Sequence, residues 1–130
     1  MKVLLSIKPE FVEKIFSGEK QFEYRRIIFK NPDVDTVIVY STMPVGKIVG
    51  EFKIQSILNL NIEDLWTATK SQSGLNYSFY KSYFHDKDKG YAIKIDNVKK
   101  YTKPLSLSQV HKNLKAPQSF CYIQDDLISI

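Results

Sequence analysis

Apolar and polar positions alternate along this 130-residue chain in short blocks, none much longer than one strand or two helical turns. Lys2 to Ile7 is an apolar-rich run that predicts a first strand. Pro9 follows at a helix-start position, where its missing N–H costs no hydrogen bond. Phe11, Val12, Ile15 and Phe16 then recur at helical spacing, and Gly18 stands where such a helix ends. A two-turn helix with one buried face is the reading. Beyond the glycine, Lys20 to Arg25 alternates at period two, so Phe22 and Tyr24 project to one side and Glu23 and Arg25 to the other.

Asn31-Pro32-Asp33 is a turn, and the β-branched run from Thr36 to Ser41 predicts the next strand. Met43 to Gly46 breaks it, and Lys47 to Ile57 predicts another, with Gly50 as a bulge or bend. Asn61 caps a short helix through Trp66, with Asp64 three positions on. After a polar break at Ser71 to Gly74, the aromatic block Tyr77 to Phe84 predicts a second short helix. Asp86 to Gly90 is a charged turn, and Gly90 to Ile95 is a strand. The tail from Val98 to Ile123 contains Pro104 and Pro117, which predicts short strands and loops rather than a long helix.

Four or more separated strands with short helices between them predict an α+β fold, a small mixed barrel forming one domain over residues 1–130. A doubly wound sheet needs long crossover helices, and the five scattered glycines make no phosphate loop.

Composition narrows the function classes. Hydrophobic residues at 43% and charged residues at 25% fit a folded globular chain, not a disordered one. Lys and Arg outnumber Asp and Glu by 19 to 14, a balance compatible with a polyanionic partner but shared by many small basic domains. Cys121 is the only cysteine, which excludes an intrachain disulfide and a multi-cysteine zinc site. Flanked by Phe120 and Tyr122, it reads as buried and inert. The N-terminal apolar stretch is cut short by Pro9 and no apolar run approaches membrane-spanning length, so the expectation is a cytoplasmic protein. His85 and His111 form no metal spacing, His85-Asp86 reads as a charged turn, and neither a metal nor a cofactor is expected.

Most chemistry is concentrated in Gly18-Glu19-Lys20-Gln21-Phe22-Glu23-Tyr24-Arg25. From residue types alone this is a solvated strand face with a weak Glu–Arg pair, or else a cationic tip offered to a phosphate or a base edge. The octet also matches the G-x-K-x-x-E-x-R signature of ASCH domains at Gly18, Lys20, Glu23 and Arg25. Tyr40-Ser41, Val49 to Phe52, Leu65-Trp66, the block from Tyr80 to Phe84, Gly90 to Ile93 and Ala116 to Phe120 resemble the same family in the same order. The chain is similar to small bacterial and phage members described as transcriptional regulators, without the helix-turn-helix that some of them carry.

The resemblance implies a PUA-like β-barrel with a cleft beside the motif strand, lined by Lys20, Glu23 and Arg25, where RNA, a nucleotide or a nucleoside binds. Family members differ in activity: some resemble binding modules, some cleave RNA, and one branch hydrolyses the acetyl amide of acetylated cytidine. If this chain is an enzyme, the resemblance implies a metal-independent ribonuclease or nucleoside amidohydrolase using Lys20 and Glu23. The amidohydrolase branch has a Thr where Glu23 stands here and a later Glu, for which Glu51 and Glu63 are the candidates.

Two further features bear on binding. No acid lies between Asp96 and Asp125, while Lys99, Lys100, Lys103, Lys112 and Lys115 do. Tyr101 and Tyr122 fall among them, so phosphate neutralisation and base stacking can coincide, with Lys99, Lys100 and Lys103 as ligand contacts. The aromatics Trp66, Tyr77, Phe79, Tyr80, Tyr83 and Phe84 fit a stacking platform, though such spacing more often marks a helix's core face.

Overall fold

The computed structural model describes residues 1–127. Strand β1 (Lys2–Ile7) leads through helix α1 (Pro9–Ser17) into β2 (Phe22–Arg25), followed by β3 (Thr36–Ser41) and β4 (Lys47–Asn61). Helices α2 (Ile62–Thr69) and α3 (Tyr77–Tyr83) separate β4 from β5 (Lys89–Leu105). A helical turn α4 (Leu107–Val110) and the strand β6 (Phe120–Ile123) follow.

The strands form one sheet in the order β2-β5-β4-β3-β1-β6. Only β1 and β3 run parallel, and the other neighbours are antiparallel. That central pair is covered on both faces, which explains why VLLSI and TVIVYS read as nearly unbroken apolar runs. On one face Val3, Leu5, Val37, Val39 and Phe52 pack under Val12 and Ile15 of α1. On the other, Leu4, Ile38, Tyr40 and Tyr101 pack with Leu107 and Val110 of α4. A third cluster seats Leu65 of α2, Tyr80 of α3 and Phe84 just past its end on Phe22, Tyr24 and Ala92 of β2 and β5. The sheet curls until its edges meet: Arg25 on β2 donates to the carbonyl of Ser119, one residue ahead of β6, at 2.7 Å. This is the mixed barrel with inserted helices that the alternation of elements predicts.

The signals at Pro9, Gly18 and Asn61 hold, while α2 continues to Thr69, past the expected end at Trp66, and Asn76 adds a cap not read from the sequence. Gly18 ends α1 with φ 85°, and the Asn61 and Asn76 side chains accept from the backbone N–H groups of Asp64 and Phe79. Two strand boundaries differ from expectation. β4 continues to Asn61 and β5 runs unbroken from Lys89 to Leu105, so Val98 to Leu105 extends one long strand where separate short strands and loops were predicted. Each strand supplies the other's hydrogen bonds over this length, with register shifts at Ile48/Gly50, Glu51/Lys53 and Ile54/Ser56. Pro104 is tolerated because it falls between the Gly50–Lys100 and Ile48–Leu105 pairs, where the ladder is interrupted. Among the described residues no helix is long and apolar enough to cross a membrane.

Candidate functional site

Local backbone constraints aim Lys20 inward. Past the left-handed Gly18, the Lys20 N–H donates to the Lys14 carbonyl at 3.0 Å. Gln21 is then held on both sides, donating to Gln72 at 2.8 Å and accepting from Ile95 at 3.0 Å. The Lys20 side chain runs beneath the loop at Ser73-Gly74, where its Nζ donates to the Ser73 carbonyl at 3.1 Å. It lies 4.7 Å from the centroid of the Tyr24 ring and 5.6 Å from that of Phe11. Only 2% of the residue is exposed, and this burial lowers its pKa from 10.5 to about 8. Glu23 opposes that shift, and Lys14 adds to it.

Glu23 and Arg25 share the opposite face of β2 from Phe22, as period two requires, and pair at 3.3 Å. The pair is not the solvated one that residue types suggest. Only 8% and 11% of the two side chains are exposed, and the backbone at Ser119 comes down on Arg25. Losing one partner therefore leaves a charge stranded out of water, which is costly, whereas an exposed pair contributes little.

These groups line a cleft of about 450 Å³. β2 forms its floor, Lys8 and Phe11 one wall, Leu75, Phe79 and Tyr83 another, and Gln118 and Ser119 its rim. Tyr83 donates to the Tyr24 carbonyl at 2.9 Å, and burial pushes its phenol up to about 12, so it stays a protonated donor. Four cationic side chains, Lys8, Lys20, Arg25 and Arg26, face one carboxylate, Glu23. A site of this balance attracts an anion while retaining one acceptor for a proton or hydroxyl.

Lys20, Glu23 and Arg25 thus come together as the motif implies. Lys99, Lys100 and Lys103 do not join them: they lie on β5, with Lys99 and Lys100 opposite Glu51 and Gly50 of β4, outside the cleft. Glu51 accepts from the Tyr101 hydroxyl, Glu63 accepts from Tyr77 and Lys81, and neither lines the cleft. The aromatic block divides: Tyr80 and Phe84 are core, while Phe79 and Tyr83 face the cleft. The sequence pattern gave Phe11 only a place on the buried face of α1, and gave Arg26, Gln118 and Ser119 no place in the site. Their signal was partial, since Gln118 and Ser119 fall in the Ala116 to Phe120 block that resembles the family. Burial raises the Cys121 thiol, and His85 pairs with Asp86 at 3.1 Å on the surface. Among the described residues no three His, Cys, Asp or Glu side chains converge on a metal position.

Comparison with known proteins agrees with this architecture. The chain is 26% identical over 128 residues to the ASCH domain-containing ribonuclease of Zymomonas mobilis, covering 96% of this chain and 86% of that protein. The crystal structure of ASCH from Zymomonas mobilis has the same fold, with a TM-score of 0.88 and 26% identity over 97% of this chain and 90% of that one. A match at 31% identity covers 94% of this chain but only 15% of a Ureaplasma parvum protein named ATP synthase subunit alpha, so the chain spans a small part of that relative. The model of the ASCH domain matches residues 5–100, and the chain belongs to the ASCH domain family.

Proposed function

We propose that the cleft receives one nucleotide unit of an RNA strand and that the chain cleaves the strand there. The observation that carries this reading is Lys20: a lysine desolvated to a pKa of about 8, facing a buried Glu23–Arg25 pair in an open, cation-rich cleft. A titratable group that burial perturbs strongly, set in a cleft beside charged neighbours, is a candidate for a functional role. The similarity to a ribonuclease from Zymomonas mobilis supports RNA as the substrate.

The chemistry follows from the charges. Lys20 and Arg25 face the phosphate, and the exposed edges of Phe79 and Tyr83 offer apolar surface to the base. The 2′-hydroxyl attacks the adjacent phosphorus as its proton passes to the Glu23 carboxylate. The bond to the 5′-oxygen breaks, and the Lys20 ammonium supplies the proton that this oxygen needs. The products are a 2′,3′-cyclic phosphate and a 5′-hydroxyl end. Arg25 balances charge on the phosphoryl oxygens. Lys99, Lys100 and Lys103, outside the cleft, add longer-range attraction for the polyanion.

The test uses an end-labelled single-stranded RNA, with and without a chelator, beside the Glu23→Gln variant. The parent should shorten the RNA and leave cyclic phosphate ends. Glu23→Gln should hold the RNA about as well but cut it about 100-fold more slowly or worse. RNA bound without any cut would reduce the cleft to a binding site. RNA neither bound nor cut would overturn the proposal.

A further inference from the structure

We propose that a second groove beside the cleft carries the RNA strand onward from the seated nucleotide, so that the chain engages several consecutive phosphates. This rests on the cleft reading above and extends it to the length of its substrate.

The groove has a volume of about 460 Å³. It adjoins the cleft through Arg26 and Ile27, which line both. The sheet register makes the two continuous. Arg25 of β2, in the cleft, lies opposite Tyr91 of β5, which lies opposite Asn59 of β4, and both of the latter line the groove. Two strand spacings, about 10 Å, separate the ends of this row, a distance on the scale of the next nucleotides in an extended strand.

The lining suits a polyanion. Arg26, Lys30, Lys87 and Lys89 face a single acid, Asp88. Arg26 stands at the junction and is held there, its Nη1 donating to the Tyr83 carbonyl at 2.9 Å and to the His85 carbonyl at 2.6 Å. A guanidinium anchored through one nitrogen presents its remaining donors in a fixed direction, the geometry that phosphate recognition favours. Ile27, half exposed at the same junction, and Tyr91 give a ribose or base an apolar surface to rest on. Mixed polarity of this kind recurs wherever single strands are held without duplex shape, with cations on the backbone and apolar faces for the bases.

Charge reversal in the groove tests the proposal, because Lys87 and Lys89 lie outside the cleft. Binding and cleavage of a dinucleotide and a decanucleotide of the same sequence are measured on the parent and on Lys87→Glu/Lys89→Glu. Decanucleotide affinity should fall about tenfold or more with a shallower salt dependence, while the dinucleotide is handled as by the parent. Should the reversal lower the thermal midpoint, Lys87→Gln/Lys89→Gln gives the same comparison with smaller effect. Equal losses on both lengths, or none, would overturn the groove. So would competition by polyglutamate with the parent's RNA binding in place of the length effect. A parent that neither binds nor cuts the dinucleotide would count against the cleft reading, while the decanucleotide comparison still scores the groove.

Discussion

The Lys20 ammonium donates to the Ser73 carbonyl at 3.1 Å across 53 positions of sequence, beneath a loop that leaves Gly74 no room for a side chain. One carbonyl and two aromatic rings replace the water that this charge would otherwise have. The replacement is incomplete, as the lowered pKa shows. A buried, under-compensated cation destabilises the fold and strengthens whatever anion enters beside it.

Stability should therefore improve when the charge is removed. Lowering the pKa from 10.5 to about 8 corresponds to about 3 kcal/mol against the charged form at neutral pH. Lys20→Met fills similar volume and forfeits the bond to Ser73, a loss of about 1 kcal/mol, leaving a net gain of about 1 to 2 kcal/mol. Thermal melting at pH 7 should show a higher midpoint for the variant, with RNA cleavage abolished. Between about pH 8 and 10 the unfolded chain holds this proton and the folded chain does not, so the parent's stability relative to Lys20→Met should rise with pH. A constant difference across that window would show that Lys20 is not the titrating group.

Activity should move the opposite way. The proposed step needs the Lys20 ammonium, so kcat/KM, which reports the free protein, should fall with increasing pH above about 8. An ordinary lysine would hold its charge to about 10.4. A pH–rate profile that stays flat to pH 10 would remove Lys20 from the chemistry.

Arg25 has two partners that a truncation would orphan, the Glu23 carboxylate and the Ser119 carbonyl. Arg25→Ala should cost about 3 kcal/mol of stability by leaving the buried carboxylate unpaired and freeing one sheet edge from the other. Glu23→Gln/Arg25→Ala should recover a good part of that loss, because no charge is then stranded. Urea unfolding of the two single variants, the double variant and the parent gives the coupling directly. Additive losses would mean the pair is solvated after all.

Period two placed Glu23 and Arg25 on one face of a strand, and the structure agrees. Periodicity carries no information about what covers the face, so the pair reads as exposed from sequence, whereas in the fold it is buried with Ser119 against Arg25. Lys20 shows the same limit. Its partners, Ser73 and Gly74, lie beyond three strands and a helix, and only the fold brings their loop over α1. The extent of β5 escaped notice because Pro104 is a local stop signal, whereas the interruption that accommodates it is set by pairing with β4. The boundaries at Pro9, Gly18 and Asn61 were legible because their causes are local, each acting within a few residues, whereas α2 runs on to Thr69 with no such local signal. The block from Tyr77 to Phe84 was recognised as aromatic, but that Tyr80 and Phe84 belong to the core while Phe79 and Tyr83 face the cleft depended on where α3 docks.

The ceiling over Lys20 gives the last prediction. Gly74 has φ 68°, and a Cβ there would stand 2.8 Å from the Lys20 Cβ. Its carbonyl also accepts from Lys14 Nζ at 2.9 Å, so the loop cannot lift without loosening both lysines. Gly18 has φ 85° with nothing within 4 Å of the same position. Gly74→Ala and Gly18→Ala thus share a left-handed strain of about 1 to 2 kcal/mol and differ in what the methyl group meets. Both should lower the thermal midpoint, Gly74→Ala by more, because its methyl group also collides with the base of the Lys20 side chain. Only Gly74→Ala should displace Lys20, and a misplacement on that scale should reduce RNA cleavage by about 10- to 100-fold. As Lys20 regains water, its pKa should return towards the ordinary lysine value, so the alkaline fall in kcat/KM should move to higher pH. Equal effects of the two variants on cleavage would show that strain, and not the position of Lys20, is what the glycine governs.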